Sequence, residues 1–421
     1  MPGLNQIGWI QMSVNSGDTA WLLISTALVM LMTPALAFFY GGMVRRKNIL
    51  STIMMSFGIL ALVSVLWIIY GYSISFGPDR GGFIGALDWI GLTGVGQAPS
   101  TVYATTVPHL AFMIFQAAFA IITVALWTGA VVERIKFGAL LVLGTLWLTV
   151  VYCPIAHWVW GSGGWLARLG ALDFAGGSVV HVNAGISALA LALVLGPRLG
   201  FKEKETMEPN SIPYVVLGAA LLWFGWFGFN AGSAITAGGL ASSAFVATNT
   251  AGASAALTWM MLGWISRRPS VLGAATGAIV GLAAITPAAG FVQPWAGIPI
   301  GIVAAVLSYY VMLWRNKANK VDESLDVFAC HGVGGAWGLL ATGIFATAAV
   351  NPVGSGLIDG NGKQILIQLA AIAVIAVYAF GISWILATIL KATMGLRVNE
   401  EEEVVGLDIS QHGERAYGGV S

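Results

Sequence analysis

Residues 175–196 read AGGSVVHVNAGISALALALVLG, and residues 328–346 read FACHGVGGAWGLLATGIFA. Each stretch is apolar over the roughly 20 residues that a helix needs to cross a bilayer core. Each also contains one histidine, His181 in the first and His331 in the second. An ionisable side chain inside a membrane span is costly and usually functional, and imidazole exchanges its proton near neutral pH. The pair therefore predicts a membrane protein that handles a proton, or a molecule that carries one.

The composition agrees with a membrane protein. Of the 421 residues, 57% are hydrophobic and only 9% are charged, whereas a soluble domain has about 25% charged residues. The net charge of +1 gives no sign of a nucleic-acid partner. The chain has 55 glycines, many of them inside apolar segments, where small residues let membrane helices pack closely. The first residues, MPGLNQIGWIQMSVNSGD, lack the basic and apolar regions of a signal peptide, so none is expected.

Eleven apolar segments are long enough to be transmembrane helices. All but three of the 19 Lys and Arg residues fall in the C-terminal tail or in the loops after segments one, three, five, seven and nine. Arg267 and Arg268, for example, follow segment seven. Because such residues collect in cytoplasmic loops, the N-terminus is expected outside and the C-terminus inside the cell. The segments are 19–42, 49–76, 108–131, 138–159, 177–197, 212–230, 244–265, 270–287, 295–314, 328–349 and 366–390.

An odd number of segments fits a five-plus-five inverted repeat with one additional helix. In such a repeat the second five segments cross the membrane in the opposite sense to the first five. Segments five and ten each carry one histidine, and an acidic residue precedes each of them, Asp173 and Asp326. The repeat predicts that His181 and His331 meet near the centre of the bundle. Each acidic residue is interpreted as a cap for the free backbone N–H groups at the start of its helix.

Three interpretations of the two histidines remain open: a structural histidine bonded to a backbone carbonyl, a metal or haem ligand, and a pore-lining pair. No third ligand lies at helical spacing from either residue, and Cys330 is adjacent to His331 rather than one turn away, which disfavours a metal site. Two adjacent imidazoles can share a proton through one hydrogen bond, so the pore-lining pair is favoured. His109 and His157 lie near segment ends and are expected to be interfacial.

Aromatic residues share one helical face in two of the segments. Such residues often face lipid or the membrane interface, but a face of rings can also attract a partly dehydrated cation by about 0.5–2 kcal/mol per ring. A serine hydroxyl at the end of one face can accept a hydrogen bond from that cation. The residues are Phe115 and Phe119 in segment three and Trp226, Phe229 and Ser233 in segment six, with Trp160 at the end of segment four.

Five sequence motifs resemble the prokaryotic ammonium transporter (Amt) branch of the Amt/Rh family. The resemblance extends from the first segment to the C-terminal tail. The motifs are AHWVWG at 156–161, DFAGGSVVHVNAG at 173–185, WFGWFGFNAGS at 223–233, DVFACHGVGGAWG at 326–338 and GLRVNEEEEVVGLDISQHGERAY at 395–417. One departure is an additional residue between Trp160 and Asp173, which alters the spacing of that loop.

The resemblance implies a role for each candidate residue. It implies an all-α, eleven-helix protomer with its own pore, assembled as a homotrimer. Residues 1–395 would form the transporter domain, and residues 396–421 a cytoplasmic regulatory tail that binds a P-II-type signal protein. Trp160, Ser233 and Phe119 would recruit the cation, and Asp173 would support this recruitment site. Phe119 and Phe229 would form the gate, with Phe115 beside them. Trp226 would line the pore, and His181 and His331 would be the twin histidines.

The predicted function is ammonium transport across the cytoplasmic membrane, with methylammonium as an analogue and without a cofactor or an enzymatic reaction. Ammonium would lose its proton near the histidines, and ammonia would cross the apolar pore. Three other functions remain open. They are an ammonium sensor that signals through its tail, an Rh-like channel for neutral gas, and a membrane enzyme or redox protein with histidine ligands.

Overall fold

The computed structural model describes residues 13–266 and 268–418. The prediction for the first twelve residues and the position of Arg267 therefore lie outside the described residues. The long helices are α1 (Ser16–Met43), α2 (Arg46–Phe76), α3 (His109–Thr128), α4 (Phe137–Leu169, interrupted at 161–164), α5 (Gly177–Leu195), α6 (Ile212–Gly232), α7 (Gly239–Ser266), α8 (Val271–Ile285), α9 (Pro294–Ala318), α10 (Phe328–Phe345) and α11 (Lys363–Thr393).

Nine of these helices in the described chain are long and apolar enough to cross a membrane. The other two, α7 and α8, coincide with predicted segments seven and eight. α7 has 28 residues and contains several serine, threonine and glycine residues, which reduce its hydropathy. α8 has only 15 residues. A mostly helical, multi-span protein is therefore established, whereas the number eleven stays a prediction.

Both histidines lie in wide helical turns at the start of their helices. The backbone forms a π-helical turn at Gly177–Val182 in α5 and again at Phe328–Val333 in α10. Such turns occur frequently at functional sites. Apolar periodicity does not distinguish a π-helical turn from an α-helical one, so the sequence did not indicate them.

Glycines allow α5 and α10 to cross with their backbones almost in contact. The glycine four residues after His181 is Gly185, and a Cβ there would overlap the backbone of Gly332. The glycine four residues after His331 is Gly335, where a Cβ would lie 2.8 Å from the Cβ of His181. Small residues at membrane-helix interfaces permit such close approach. This crossing brings the two histidines together.

The connection between α2 and α3 forms two short antiparallel hairpins rather than a plain loop. Strand β1 (Asp79–Arg80) pairs with β2 (Ile84–Gly85), and β3 (Pro99–Ser100) pairs with β4 (Ala104–Pro108). These hairpins lie at the end of the bundle that also contains Trp160, which is called the aromatic end below.

The prediction that His109 and His157 are interfacial is wrong, because the hairpin connection covers them. His157 is fully buried. Its Nδ1 lies 2.9 Å from the Ser75 carbonyl oxygen, and its Nε2 lies 3.0 Å from a carboxylate oxygen of Asp79. His109 is also buried, and its Nε2 lies 2.5 Å from the hydroxyl of Tyr72. His157 therefore holds the first hairpin against the helices, whereas His109 joins α3 to α2.

A buried ion network joins the loops after α1, α3, α5 and α9 at the other end of the bundle. Glu133 is 1% exposed and lies between Arg45 and Arg198, at 3.0 and 2.9 Å. Arg198 also pairs with Asp322 at 2.8 Å, and fully buried Arg134 donates five hydrogen bonds to surrounding oxygens. Burial alone would raise the pKa of Glu133, but Arg198 and Arg45 outweigh burial and hold it at about 2. These five residues are called the charged hub.

The C-terminal tail packs against this end of the bundle through helices α12 (Glu400–Val405) and α13 (Leu407–His412). The carboxylate of Glu403 accepts hydrogen bonds from the Leu199 N–H at 2.7 Å and from Arg397 at 2.5 Å. Lys47 donates to the carbonyl oxygens of Glu403 and Val404 at 2.8 and 2.6 Å. Four of the five basic loops that the charge pattern assigned to one side, those after α1, α3, α5 and α9, therefore meet at one end, together with the tail.

Candidate functional site

Two predicted site residues, Phe119 and Trp160, are in contact at the aromatic end, and Ser233 follows α6 one turn after Phe229. The rings of Phe119 and Trp160 are perpendicular, with centroids 5.8 Å apart. Trp160 is half-buried, and its Nε1 donates to the carbonyl oxygen of Asp173 at 2.9 Å. Half-buried Ser233 donates its hydroxyl hydrogen to the Phe229 carbonyl oxygen at 2.8 Å. Because that hydrogen is used, the hydroxyl oxygen of Ser233 presents only lone pairs to an approaching donor.

Phenylalanine rings close the path beneath this cluster. The centroids of Phe119 and Phe229 are 4.3 Å apart, and both side chains are essentially unexposed. Phe115, one turn before Phe119, packs edge-on against it at 4.9 Å. Since the two central rings are in direct contact, a molecule can pass only if at least one of them turns.

A narrow cavity lies on the inner side of the rings. His181 stacks near Trp226 and Phe229, with centroids 5.4 and 5.9 Å away. The cavity has a volume of about 10 Å³ and is lined by these three residues, by His331 and by other apolar side chains. That volume holds about one water-sized molecule. A small neutral molecule such as ammonia therefore fits, whereas a hydrated ion does not.

The two imidazoles are directly hydrogen-bonded to each other. Nδ1 of His331 lies 3.2 Å from Nδ1 of His181, and the rings are inclined by 20°. The side chains are 1% and 3% exposed for His181 and His331, respectively. One nitrogen must donate and the other must accept, because two bare nitrogens or two N–H groups would repel. The pair therefore shares one hydrogen.

Thr286 determines which imidazole donates. Its hydroxyl donates its one hydrogen to the Leu282 carbonyl oxygen at 2.8 Å, and its oxygen accepts from Nε1 of Trp226 at 2.9 Å. Nε2 of His181 lies 3.3 Å from the same oxygen, so while the hydroxyl hydrogen is on the Leu282 carbonyl, His181 is the donor there. Neutral His181 then carries its hydrogen on Nε2, and its Nδ1 accepts the N–H of His331.

The carboxylate of Asp173 has the capping geometry expected from the sequence. It accepts backbone N–H groups of Gly176, Gly177, Ser178 and Val179 at 2.7 to 3.3 Å, and also the hydroxyl of Ser178. These bonds satisfy the first free N–H groups of α5. The carboxylate is therefore occupied within the protein, and Asp173 reaches Trp160 through its backbone carbonyl.

The prediction that Asp326 caps α10 is wrong. The carboxylate of Glu323 caps this helix, accepting the N–H groups of Val327 at 2.8 Å and Phe328 at 3.3 Å. Asp326 has a positive φ of 59° and pairs with Arg315 at 2.5 Å instead. Spacing from the histidine could not distinguish two acidic residues three positions apart.

Sequence reasoning also missed Thr286 and the charged hub. A single threonine before Pro287 is an ordinary helix-ending signal, so Thr286 carried no distinctive pattern. Glu133 offered a weak signal, because it is an acidic residue within an otherwise basic loop. The part of the chain that the structure describes contains no group of three or more His, Cys, Asp or Glu side chains placed to hold a metal ion.

Known proteins match this chain along almost its whole length. The Ammonium Transporter Family model matches residues 20–417. The ammonium transporter Amt1 of Archaeoglobus fulgidus is 52% identical over 96% of this chain and 100% of its own length. The ammonium transporter of Bacillus subtilis is 49% identical over 95% of this chain and 98% of its own length.

Solved structures show the same fold. Mep2 from Candida albicans has a TM-score of 0.88 and 38% identity, covering 96% of this chain and 90% of Mep2. A structure described as a sensor Amt protein has a TM-score of 0.87 and 28% identity, covering 96% of this chain and 99% of that protein. With a family match over residues 20–417 and relatives about half identical from end to end, this chain belongs to the ammonium transporter family.

Proposed function

We propose that this protein conducts ammonium nitrogen across the cytoplasmic membrane by separating the ion into ammonia and a proton. The observation that carries this proposal is the direct bond between two buried imidazoles beneath contacting phenylalanine rings. Relatives named ammonium transporters support the substrate. Methylammonium, which also has an ionisable N–H, serves as an analogue.

Recruitment occurs at Trp160, Phe119 and Ser233. The perpendicular rings offer π faces to a cation, and the hydroxyl oxygen of Ser233 accepts one of its N–H groups. Asp173 supports this site by holding the indole of Trp160 through its carbonyl oxygen. The ion then passes Phe119 and Phe229, which lie in direct contact and act as the gate.

Deprotonation occurs at or above the histidine pair. Ammonium transfers one proton to the imidazole pair, and the remaining neutral ammonia enters the cavity of about 10 Å³ beside His181, His331 and Trp226. Potassium resembles ammonium in charge and size but has no proton to release. It would have to enter this apolar region as an ion, at a cost of several kcal/mol or more. Selectivity therefore depends on proton loss rather than on size.

The proposed architecture is an eleven-span protomer, with five spans followed by five inverted spans and one additional helix. Two contacts support the repeat: α1 packs along α6, and α5 packs against α10. The aromatic end faces outward, and the charged hub faces the cytoplasm, in agreement with the distribution of Lys and Arg. Three protomers assemble in the cell membrane, and residues 396–421 form a regulatory tail that binds a P-II-type signal protein.

Current recordings on proteoliposomes test the function. Replacing both His181 and His331 by leucine should abolish the ammonium-driven current, because the variant has no group that receives the proton. The His412→Gln variant, which changes a histidine in the tail, should behave like the unmodified protein. Ammonium, methylammonium and potassium would be applied in turn. Full ammonium-selective current in the double-leucine variant would contradict the role of the histidines.

A second candidate function is ammonium sensing. The match to a sensor Amt protein over 96% of this chain favours it as the alternative. A sensor would bind ammonium at the same aromatic and histidine residues and signal through its tail, with little flux. Methylammonium uptake by reconstituted vesicles separates the two functions. For a transporter, the amount of methylammonium taken up rises with the amount of protein in the vesicles, whereas a sensor gives little uptake at any amount.

A further inference from the structure

A buried glutamine of α11 holds the backbone next to the aromatic end. Gln368 has no exposed surface. Its Oε1 accepts the N–H of Leu172 at 2.9 Å, while its Nε2 donates to the carbonyl oxygens of Leu172 at 2.7 Å and Leu339 at 3.2 Å. A buried carboxamide is costly unless it is hydrogen-bonded, and these contacts use both of its polar atoms.

The bonds of Gln368 fix the residue immediately before Asp173. Because the carboxamide binds both the N–H and the C=O of Leu172, it holds that residue as a neighbouring β-strand would. The C=O of Leu172 belongs to the peptide unit that leads into Asp173, whose own carbonyl accepts Nε1 of Trp160 at 2.9 Å. A path of direct bonds therefore runs from α11 through two loop residues to the Trp160 ring.

A second glutamine supports the same loop. Gln364 lies one turn before Gln368 in α11, and its Nε2 donates to the carbonyl oxygen of Gly170 at 2.8 Å. The same nitrogen lies 3.4 Å from Oε1 of Gln368. Residues 170–173 are thus held from α11 by a pair of carboxamides on one helical face.

We propose that Gln368 is a positioning residue for the outer cation site. It acts through Leu172 and Asp173 to keep the Trp160 ring perpendicular to Phe119. Cation–π attraction depends on the position of the ring face, and sites need their supporting shell to hold that geometry. The inference rests on the proposed role of Trp160 in recruiting ammonium. It connects α11, which is exposed along much of its length, to substrate binding.

The test measures initial rates of methylammonium uptake against concentration in proteoliposomes with equal amounts of protein. Gln368→Met keeps the length and volume of the side chain but removes its hydrogen bonds. We expect the half-saturating concentration to rise by about 3- to 10-fold, which is the decrease in affinity expected when one cation–π contact is weakened. We expect the maximal rate to stay within about twofold, because the histidine pair is unchanged.

Two further variants separate positioning from general loosening of α11. Gln368→Asn retains a carboxamide that is too short to reach Leu172, and it should raise the half-saturating concentration as Gln368→Met does. Ser383→Ala removes an equally buried polar group of α11, which bonds Ser187 and Trp147 away from the loop. This control should leave the half-saturating concentration unchanged. A fall in maximal rate alone, or an equal effect of Ser383→Ala, would overturn the proposal.

The double variant with Trp160→Leu distinguishes the inference from the proposed function. If Gln368 acts through Trp160, its replacement should add nothing to the higher half-saturating concentration of Trp160→Leu. Additive effects, or an effect of Trp160→Leu with none of Gln368→Met, would overturn the inference and leave the recruitment role of Trp160 intact. No effect of Trp160→Leu would overturn that role, and the inference with it.

Discussion

The cavity around His181 and His331 and the charged hub both bury titratable side chains, but they stabilise them differently. In the hub, Glu133 lies within 3.0 Å of two arginines, and opposite charges surround each other. In the cavity, the contacts of the imidazoles are with each other, with aromatic rings and with the hydroxyl of Thr286. The first arrangement pairs fixed charges, and the second shares hydrogens between neutral groups.

This difference follows from what each region does. A buried charge is tolerated only when a partner and hydrogen bonds compensate its lost hydration, so the hub joins four loops into one rigid structure. A fixed charge beside the cavity would hold or repel a passing cation. A neutral imidazole pair can instead accept a proton and release it. Under the proposed function, charge is therefore fixed where it stabilises the fold and transient where ammonium gives up its proton.

Removing a partner in the hub should produce the largest effect. Glu133→Gln leaves the partly buried Arg45 and Arg198 without their shared, fully buried carboxylate, and breaking a buried pair typically costs about 3–5 kcal/mol. We expect the free energy of unfolding in detergent, measured by denaturant titration, to fall by this amount. Glu401→Gln, an exposed carboxylate of α12 without an ion pair among the described residues, is the control. A loss below about 1 kcal/mol would place the hub with ordinary surface pairs and break the comparison.

Acid should destabilise the hub over a defined pH range. The folded-state pKa of Glu133 is about 2, compared with 4.5 for the unperturbed group. The ionised form thus stabilises the fold fully above about pH 4.5, and this contribution is lost as the pH falls from 4.5 towards 2. The shift corresponds to about 3 kcal/mol. Denaturant titrations between pH 6 and 3 should show about 2 kcal/mol of this loss in the unmodified protein and a smaller loss in Glu133→Gln. Equal slopes would contradict the prediction.

The fold was more predictable from the sequence than the contacts within it. Apolar runs located the helices to within a few residues, because crossing a bilayer requires a minimum apolar length. Charge alternation and the two mid-segment histidines also predicted that His181 and His331 would meet. These signals act on whole segments, so they survive errors of a few residues at the helix ends.

Contacts between distant residues were not predictable. The pairing of Arg198 with Asp322 joins two loops 124 positions apart, and no local pattern specifies it. Thr286 binds His181 across 105 positions, and a single threonine looks the same in any helix end. The cap of α10 was misassigned to Asp326 because the backbone conformation decides which carboxylate reaches the free N–H groups. The spacing of residues in the sequence does not indicate that conformation.

The smallest predicted effect concerns Thr286, which contacts the imidazole pair in the cavity. Its oxygen accepts hydrogen bonds from Trp226 and His181, and this holds the hydrogen of His181 on Nε2. For His181 to receive a proton at Nε2, that nitrogen must first be bare. A Thr286 hydroxyl that turns from the Leu282 carbonyl towards His181 would stabilise the bare form. The same hydroxyl can therefore serve both states of the pair.

Thr286→Val should lower the maximal ammonium current about tenfold. The variant keeps the shape of the side chain but leaves two buried donors without their acceptor. Leaving a buried donor without an acceptor costs roughly 1–3 kcal/mol, and a tenfold decrease in current corresponds to about 1.4 kcal/mol. Thr286→Ser keeps the hydroxyl and should restore the current. Thr342→Val is the control, because the one side-chain bond of this fully buried threonine among the described residues is to the Gly338 carbonyl of its own helix. Its current should stay within about twofold. Equal losses in the valine and serine variants would assign the effect to packing. An unchanged current in Thr286→Val would show that the positions of the imidazole hydrogens do not depend on Thr286. The cavity would then differ from the hub only in lacking fixed charges.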